Sequence, residues 1–462
     1  MQLKPQNTAG YSRNILLVII ILNSFANPFL GAAVNIALPQ IGEEFRMNAI
    51  SLSWVAMAFL LSSAIFLVPF GKIADMAGRK KVFLYGNAII TLSALLCVFS
   101  ASGTMLITFR AIQGIGSAMT FGTGIAIITS AFPARERGRA IGISVTAVYL
   151  GLAVAPFLGG ILTQTFGWRS LFLVTIPAGL AVIGLTWFAI RTEWAEAGNE
   201  KFDYRGSLVY MLAVSSLMAG FSKLPDPTAI VLTALGIAGV IFFVRLELRT
   251  AFPVLNMQLF RNNRVFAWSN LAAFINYAAT FAITFLLSLY LQYIKGLNPR
   301  EAGVVLVTQP LLMTVFASVS GRMSDKYDSR LLSSAGMSII VAGLILLSFL
   351  NPSTPLSYLV VSLAILGSGF GLFSSPNTNA VMSSVETRYL GVASATIGTM
   401  RLTGQMMSMG LATLIIHVFI GDAPITPANH SLFMQSVVTV FILFSALCFL
   451  GVFASLARGK NR

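Results

Sequence analysis

Residues 71–81 read GKIADMAGRKK, and residues 321–330 read GRMSDKYDSR. Each stretch begins with Gly, places Asp four residues later and ends in basic residues. Each also follows directly on an apolar run long enough to cross a bilayer, for which about 20 residues suffice. The shared G-x-x-x-D register points to a duplicated architecture. Spans 1–6 and 9–14 would be two homologous six-helix halves, with spans 7 and 8 inserted between them. Repeated halves with a site at their interface are a transporter signature.

Outward from these loops, composition excludes a soluble protein. The hydrophobic share of the 462 residues is 56 %, mean hydropathy is +0.83 and charged residues are 10 %, against roughly 25 % in soluble domains. Long apolar runs without short alternating strands favour helices over a barrel. The expected fold class is an all-α membrane protein with 14 transmembrane helices, near 14–38, 51–74, 82–101, 104–131, 139–164, 170–190, 206–223, 227–246, 265–293, 302–321, 331–350, 356–380, 388–416 and 432–456. The corresponding units are an N-terminal bundle (1–190), a linker with two additional helices (191–263) and a C-terminal bundle (264–462). The first run, Ile15 to Leu38, is too long for a signal h-region. The net charge of +15 is a topology signal, not a nucleic-acid footprint. With the N-terminus inside, 23 Lys/Arg fall in cytoplasmic segments, 5 in outer loops and 2 within spans. This positive-inside bias places both termini in the cytoplasm and the chain in the plasma (cytoplasmic, or inner) membrane, with anionic lipid headgroups as further partners. Residues 191–207 read as a mixed-charge solvated link. Residues 421–431 read as an outer loop with a glycosylation sequon at Asn429. Cys97 and Cys448 fall in apolar runs and read as packing residues.

Two cations lie inside spans, Arg110 in FRAIQGIGSAM (109–119) and Arg401. An arginine at mid-helix costs about 2.5–3.5 kcal/mol on insertion scales, so each needs a partner or a wet cavity. Gln113 is one turn from Arg110, and Gly114 and Gly116 suggest space beside it. Arg110 is therefore either a substrate or water ligand or a structural arginine held by backbone carbonyls. None of the fifteen acids lies in the middle of a span. Helix 1 instead has a polar stripe, Asn23, Asn27, Gly31 and Asn35, recurring every four residues, with Pro28 beside it suggesting a kink. Asn276 and Gln309 are further polar candidates. Phe274, Tyr277, Phe281 and Phe285 either line a cavity or pack, and His417 and His430 are near the outer edge. No metal cluster, nucleophile–base set or nucleotide loop is present, so neither an enzyme nor a cofactor is expected.

Six stretches, taken in order, resemble a known family. They are GKIADMAGRKKVF; RAIQGIGSA; the helix 5 set Gly142, Gly151, Ala155, Pro156, Gly159 and Gly160; GWRSLFLVTIPAG; GSGFGLFSSPNTNAVMSSV; and GVASATIGTMRLTGQ. Together they are similar to the major facilitator superfamily, and within it to the fourteen-helix drug:proton antiporter branch. The resemblance implies multidrug efflux by proton-coupled alternating access, with the proton gradient as energy source. It also implies a latch between halves formed by Gly71, Asp75, Gly78, Arg79, Glu136, Asp325 and Arg330. In that latch Asp75 would face the dipole of the helix starting near Arg388, and Arg79 would pair with Glu136. The helix 5 set would be a close-packed rocking interface, bent at Pro156. One departure stands out. The branch carries an acid in helix 1, and FLGAAVNIALP (29–39) has Leu30 there. A neutral stripe with two arginines suits anionic, zwitterionic or neutral amphipathic substrates. The expected function is a monomeric exporter of small hydrophobic or amphipathic compounds. The alternative is an exporter or flippase of an anionic lipid or metabolite held by Arg110 and Arg401.

Overall fold

The computed structural model describes residues 12–195, 202–221, 224, 226–250, 253–255, 257–324, 327–386 and 390–459. The helices, in chain order, begin with α1 Arg13–Phe45, α2 Ala49–Ala77, α3 Arg79–Val98, α4 Gly103–Ala131, α5 Ala134–Phe166, α6 Arg169–Leu173 and α7 Thr175–Ala189. Next come α8 Tyr204–Phe221, α9 Pro227–Glu247 and α10 Met257–Asn262. The remainder are α11 Arg264–Thr280, α12 Ala282–Leu289, α13 Pro299–Leu306, α14 Thr308–Met323, α15 Ser329–Leu347, α16 Leu356–Ser383, α17 Leu390–Ile420 and α18 His430–Ala457. No strand occurs among the described residues.

Local chemistry sets the helix ends. Asn48, Ser102 and Asn263 cap α2, α4 and α11 by accepting a backbone N–H from the first turn, and Asn298 forms a capping box with Glu301 on α13. Gly78 (φ +118°) and Gly167 (φ +78°) turn the chain between helices through backbone angles that side chains disfavour. Thirteen helical runs among the described residues are long and apolar enough to cross a membrane. The run expected at 206–223 forms α8, which has 18 residues. Its first turn is the polar Tyr204–Ser207, and it is not among the thirteen.

Helix α1 packs on α5, and α4 on both α2 and α3; α16 packs on α14 and α15, and α11 on α17 and α18. Helices α8 and α9 pack on each other, and α8 also touches α2 and α17. The two larger groups meet where α5 packs on α13, α2 on α17 and α1 on α12. One end of the molecule carries the loops at 46–48 and 295–298; this is called the first end below. There the groups are in backbone contact: a Cβ on Gly160 would lie 2.5 Å from Pro299 O, and one on Gly303 would lie 2.1 Å from Pro156 O. At the opposite, second end a Cβ on Gly71, Gly124 or Gly142 would meet nothing within 4 Å. Gly142 is thus not a close-packing position, unlike Gly151, whose Cβ would lie 2.5 Å from Phe25 O, and Gly159, whose Cβ would lie 2.9 Å from that of Ala33. The 191–207 link is also not solvated throughout. Trp194 is buried, and Glu193 accepts hydrogen bonds from the backbone N–H groups of Lys80 (2.8 Å) and Lys81 (3.3 Å).

Candidate functional site

The polar groups within the helices fall into two clusters. The first surrounds Arg110 and is enclosed by α2 and α4. Its Nε donates to Val55 O (3.1 Å), one terminal nitrogen donates to Gln113 Oε1 (2.6 Å), and the guanidinium lies 4.4 Å from the centre of the Phe59 ring. Arg110 is 1 % exposed. A carbonyl, an amide and an aromatic face therefore hold this cation without an acid. The other terminal nitrogen and Gln113 Nε2 have no hydrogen-bond partner among the described residues. The nearby glycines do not open space. A Cβ on Gly114 would lie 2.3 Å from Phe59 O, and one on Gly116 would lie 2.6 Å from Gly86 O. They let neighbouring backbones approach.

The second cluster sits on the seam. Arg401, on α17, lies 5.7 Å from the centre of the Phe121 ring on α4 and 5.6 Å from that of Tyr277 on α11. Tyr277 packs edge-on against Phe370 of α16 at 5.4 Å. Tyr149, within electrostatic reach of Arg401, shares a 2.9 Å hydrogen bond with Ser374, so that α5 is tied to α16. Arg401 is half-buried and forms no salt bridge among the described residues. Phe121 is eleven residues beyond Arg110 on the same helix, about 16 Å along its axis, so the two arginines belong to different sites.

The helix 1 stripe divides along its length. Asn27 Nδ2 donates to Asn23 Oδ1 (3.1 Å), and both residues are half-buried. A Cβ on Gly31 would meet nothing within 4 Å. Asn35 is buried where the groups close: its carbonyl accepts from Ser288 Oγ (2.7 Å), and the Ile36 carbonyl accepts from Gln292 Nε2 (2.9 Å). Gln292 lies in a π-helical turn, Tyr290–Ile294, that follows α12; such turns cluster at functional sites. A cavity of about 260 Å³ beside it is lined by Gln40, Glu43, Gln164, Gln292 and Tyr293, among others. Asn276 is fully buried, with neither amide atom partnered among the described residues. Gln309 is half-buried, and its carbonyl packs on Gly367. Leu30 is buried core. Phe285 is fully buried, whereas Tyr277 reaches the seam. His417 Nδ1 lies 3.9 Å from Asp422.

The loop residues pair differently from expectation. Arg79 bonds Asp75 through Nε and Nη2, both at 2.8 Å, and also Ser130; Glu136 pairs with Arg13 at 3.3 Å, not with Arg79. Gly78 faces Glu193. In the second loop Arg330 lies 3.8 Å from Asp328. Asp325 and Arg388 lie outside the described residues.

Sequence reading missed Phe121, Tyr149, Phe370, Ser374, Ser288 and Gln292, because ordinary aromatic and hydroxyl residues become a site only when separate helices bring them together. It also did not single out Arg458. Arg458 is 1 % exposed and donates to Asn377 Oδ1 (3.3 Å), Ser269 Oγ (3.4 Å) and Ser455, and burial pushes its guanidinium down to about 10.

Residues 20–409 match the family described as Major Facilitator Superfamily. The chain is similar to the riboflavin transporter RibZ of Clostridioides difficile (strain 630), 31 % identical over 412 residues that cover 88 % of each protein. It is also similar to the multidrug resistance protein Stp of Mycobacterium tuberculosis, 30 % identical over 387 residues, covering 82 % of this chain and 71 % of that one. The fold resembles that of a bacterial homolog to the human lysosomal transporter Spinster in an inward-facing and occupied conformation. The TM-score is 0.66 at 17 % identity, with 96 % of each chain covered.

Proposed function

The chain belongs to the major facilitator superfamily of membrane transporters, and we propose that it exports planar amphipathic compounds with an anionic or acceptor-rich edge. In this reading the exporter is a proton-coupled antiporter of fourteen spans, α8 being the fourteenth, and it acts as a monomer among membrane lipids with both termini in the cytoplasm. The first end then faces outward, and its backbone contacts support reading the structure as inward-facing.

One observation carries the substrate class: the Arg401 guanidinium lies between the faces of Phe121 and Tyr277 at the seam, without an acidic partner among the described residues. A cation flanked by rings suits a flat ligand that stacks on the aromatics and accepts hydrogen bonds at one edge. Tyr149 and Ser374 add hydroxyls on the same seam. A riboflavin transporter and a multidrug resistance protein among the relatives support this range, since riboflavin is itself a planar ring system with polar substituents. The two-arginine headgroup reading loses one of its ligands, because Arg110 is enclosed between α2 and α4.

The test is transport by purified protein in proteoliposomes under an imposed pH gradient, with fluorescent planar anions, neutral dyes and organic cations compared. Flux of the anionic and neutral dyes should follow the gradient. Arg401→Gln should weaken their binding about 10- to 100-fold, as loss of a charge-assisted bond of roughly 1.5–3 kcal/mol requires. Equal binding by wild type and Arg401→Gln would remove the arginine from the site, and flux indifferent to the gradient would remove proton coupling.

A further inference from the structure

Two carboxyl groups outside the seam share a buried pocket at the second end of the inserted helix pair. Asp203 precedes α8; its Oδ1 accepts the Gly206 N–H (2.8 Å), which leaves Oδ2. Glu247 ends α9 and is 2 % exposed; its Oε2 accepts the Leu255 N–H (2.9 Å), which leaves Oε1. Both remaining oxygens are buried and have no hydrogen-bond donor among the described residues. Each lies 2.3 Å from the position that a Cβ on Gly206 would take, so they are no more than about 4.6 Å, twice 2.3 Å, apart. The two side chains are within hydrogen-bonding reach of each other.

Two carboxylates this close in a dry pocket cannot both be ionised, because each charge raises the cost of the other and burial raises the cost of both. No cation relieves them: among the described residues, Arg205 on α8 and Arg245 and Arg249 on and after α9 are exposed. The other charged groups and histidines on helices packed against α8 are Lys72 and Asp75 at the second end of α2, Arg401 on α17 and His417 at the opposite, first end of α17. Asp75 is bonded to Arg79, and Arg401 lies between Phe121 and Tyr277. Acid placed opposite acid, with a glycine giving both room, requires a proton between the two oxygens.

We propose that Asp203 and Glu247 bind a single shared proton, forming an acid–carboxylate clasp that ties the start of α8 to the end of α9 and to the chain at Leu255. On deprotonation the proton leaves to water, two like charges face each other, and the clasp opens. This is a proton site distinct from the seam, and it depends on no property of the Arg401 site. Because Tyr210 of α8 donates to Ala64 O of α2 (3.1 Å), the clasp anchors a helix that leans on the moving core.

The chemistry makes an unusual prediction for amide variants. Glu247→Gln can donate Nε2–H to the Asp203 carboxylate while still accepting from Leu255, and Asp203→Asn can donate to Glu247 while still accepting from Gly206. Either single variant supplies the bond without a proton. In the double variant the two NH₂ groups oppose each other. Hydrogen exchange of the full-length protein in detergent, corrected for intrinsic pH dependence, reads the outcome at the first two turns of α8. Wild type should exchange at least tenfold faster at pH 9 than at pH 6, and each single variant should stay protected at both. The double variant should be unprotected at both. Wild-type protection that is flat across this range would overturn the proposal, as would single variants as labile as wild type at pH 9. Protection at pH 9 restored by added sodium or calcium would assign the oxygens to a metal cation and overturn it equally. The wild-type and single-variant series decides the matter even if the double variant does not fold.

Discussion

Arg110 and Arg401 carry the same charge in opposite surroundings. Arg110 spends its donors on Val55 O and Gln113 Oε1 and its face on Phe59, whereas Arg401, among the described residues, is held by the rings of Phe121 and Tyr277. The first is a structural tie between α2 and α4, and the second is the proposed ligand. Arg110→Ala should therefore destabilise the protein by about 2–3 kcal/mol, since it leaves Gln113 buried without its partner and removes a desolvated cation–π contact. Thermal unfolding of the purified protein in detergent should show a midpoint lower by several degrees, while dye affinity in the protein that remains folded stays within about twofold. A selective loss of affinity without a change in melting would reverse the assignment of the two arginines. Both residues were legible as exceptional in the sequence, but their environments were not. The glycines beside Arg110 were read as space, whereas they mark close backbone approach, and nothing in a one-dimensional charge pattern distinguishes the two.

At the scale of elements, the join between α2 and α3 shows how the loop motif is built. Gly78 takes φ +118°, and a Cβ there would lie 2.5 Å from the Glu193 carboxyl carbon. Glu193 comes from the chain after α7 and satisfies the exposed N–H groups of Lys80 and Lys81, while the adjacent Trp194 carbonyl accepts the Arg79 N–H at 2.9 Å. The carboxylate therefore caps α3 from a distance in sequence and meets the positive end of its dipole. Glu193→Ala should cost about 1 kcal/mol, seen as a lower unfolding midpoint and as faster hydrogen exchange confined to Arg79–Val82. Exchange unchanged over that turn would show that the cap contributes nothing. The loop motif was readable because Asp75, Gly78 and Arg79 are close in sequence, whereas its partner was not. Glu193 sits in a mixed-charge stretch that resembles a solvated link, and only the fold brings it more than 110 residues back to α3.

At the scale of the whole molecule, motif order and the repeated loop made the superfamily fold legible, but not which end is closed. Alternating access requires one sequence to support two packings that differ by a few kcal/mol, so no local signal states which is populated. The closed first end rests partly on small residues, with Pro156 O facing Gly303 and Pro299 O facing Gly160. It also rests on three hydrogen bonds at one place: Ser288 to Asn35 O, Gln292 to Ile36 O and Gln292 to Ser288 Oγ. The two donors reach main-chain carbonyls of α1, so the contact needs no acidic side chain on that helix. Paired substitution Ser288→Ala with Gln292→Leu removes all three bonds and leaves the apolar contacts. At about 1 kcal/mol for each of two lost cross-seam bonds, the ratio of first-end-closed to first-end-open molecules should fall about 30-fold. Spin labels at Thr104 and Ser353, both exposed at the first end, report it by pulsed dipolar spectroscopy, with Cys97 and Cys448 buried and protected from labelling. Wild type should give a predominantly short distance, and the paired variant should populate a longer one. If the distribution is unchanged, the glycine contacts alone close this end, and the polar bonds from α12 and its π-helical turn to α1 serve only to orient helix 1.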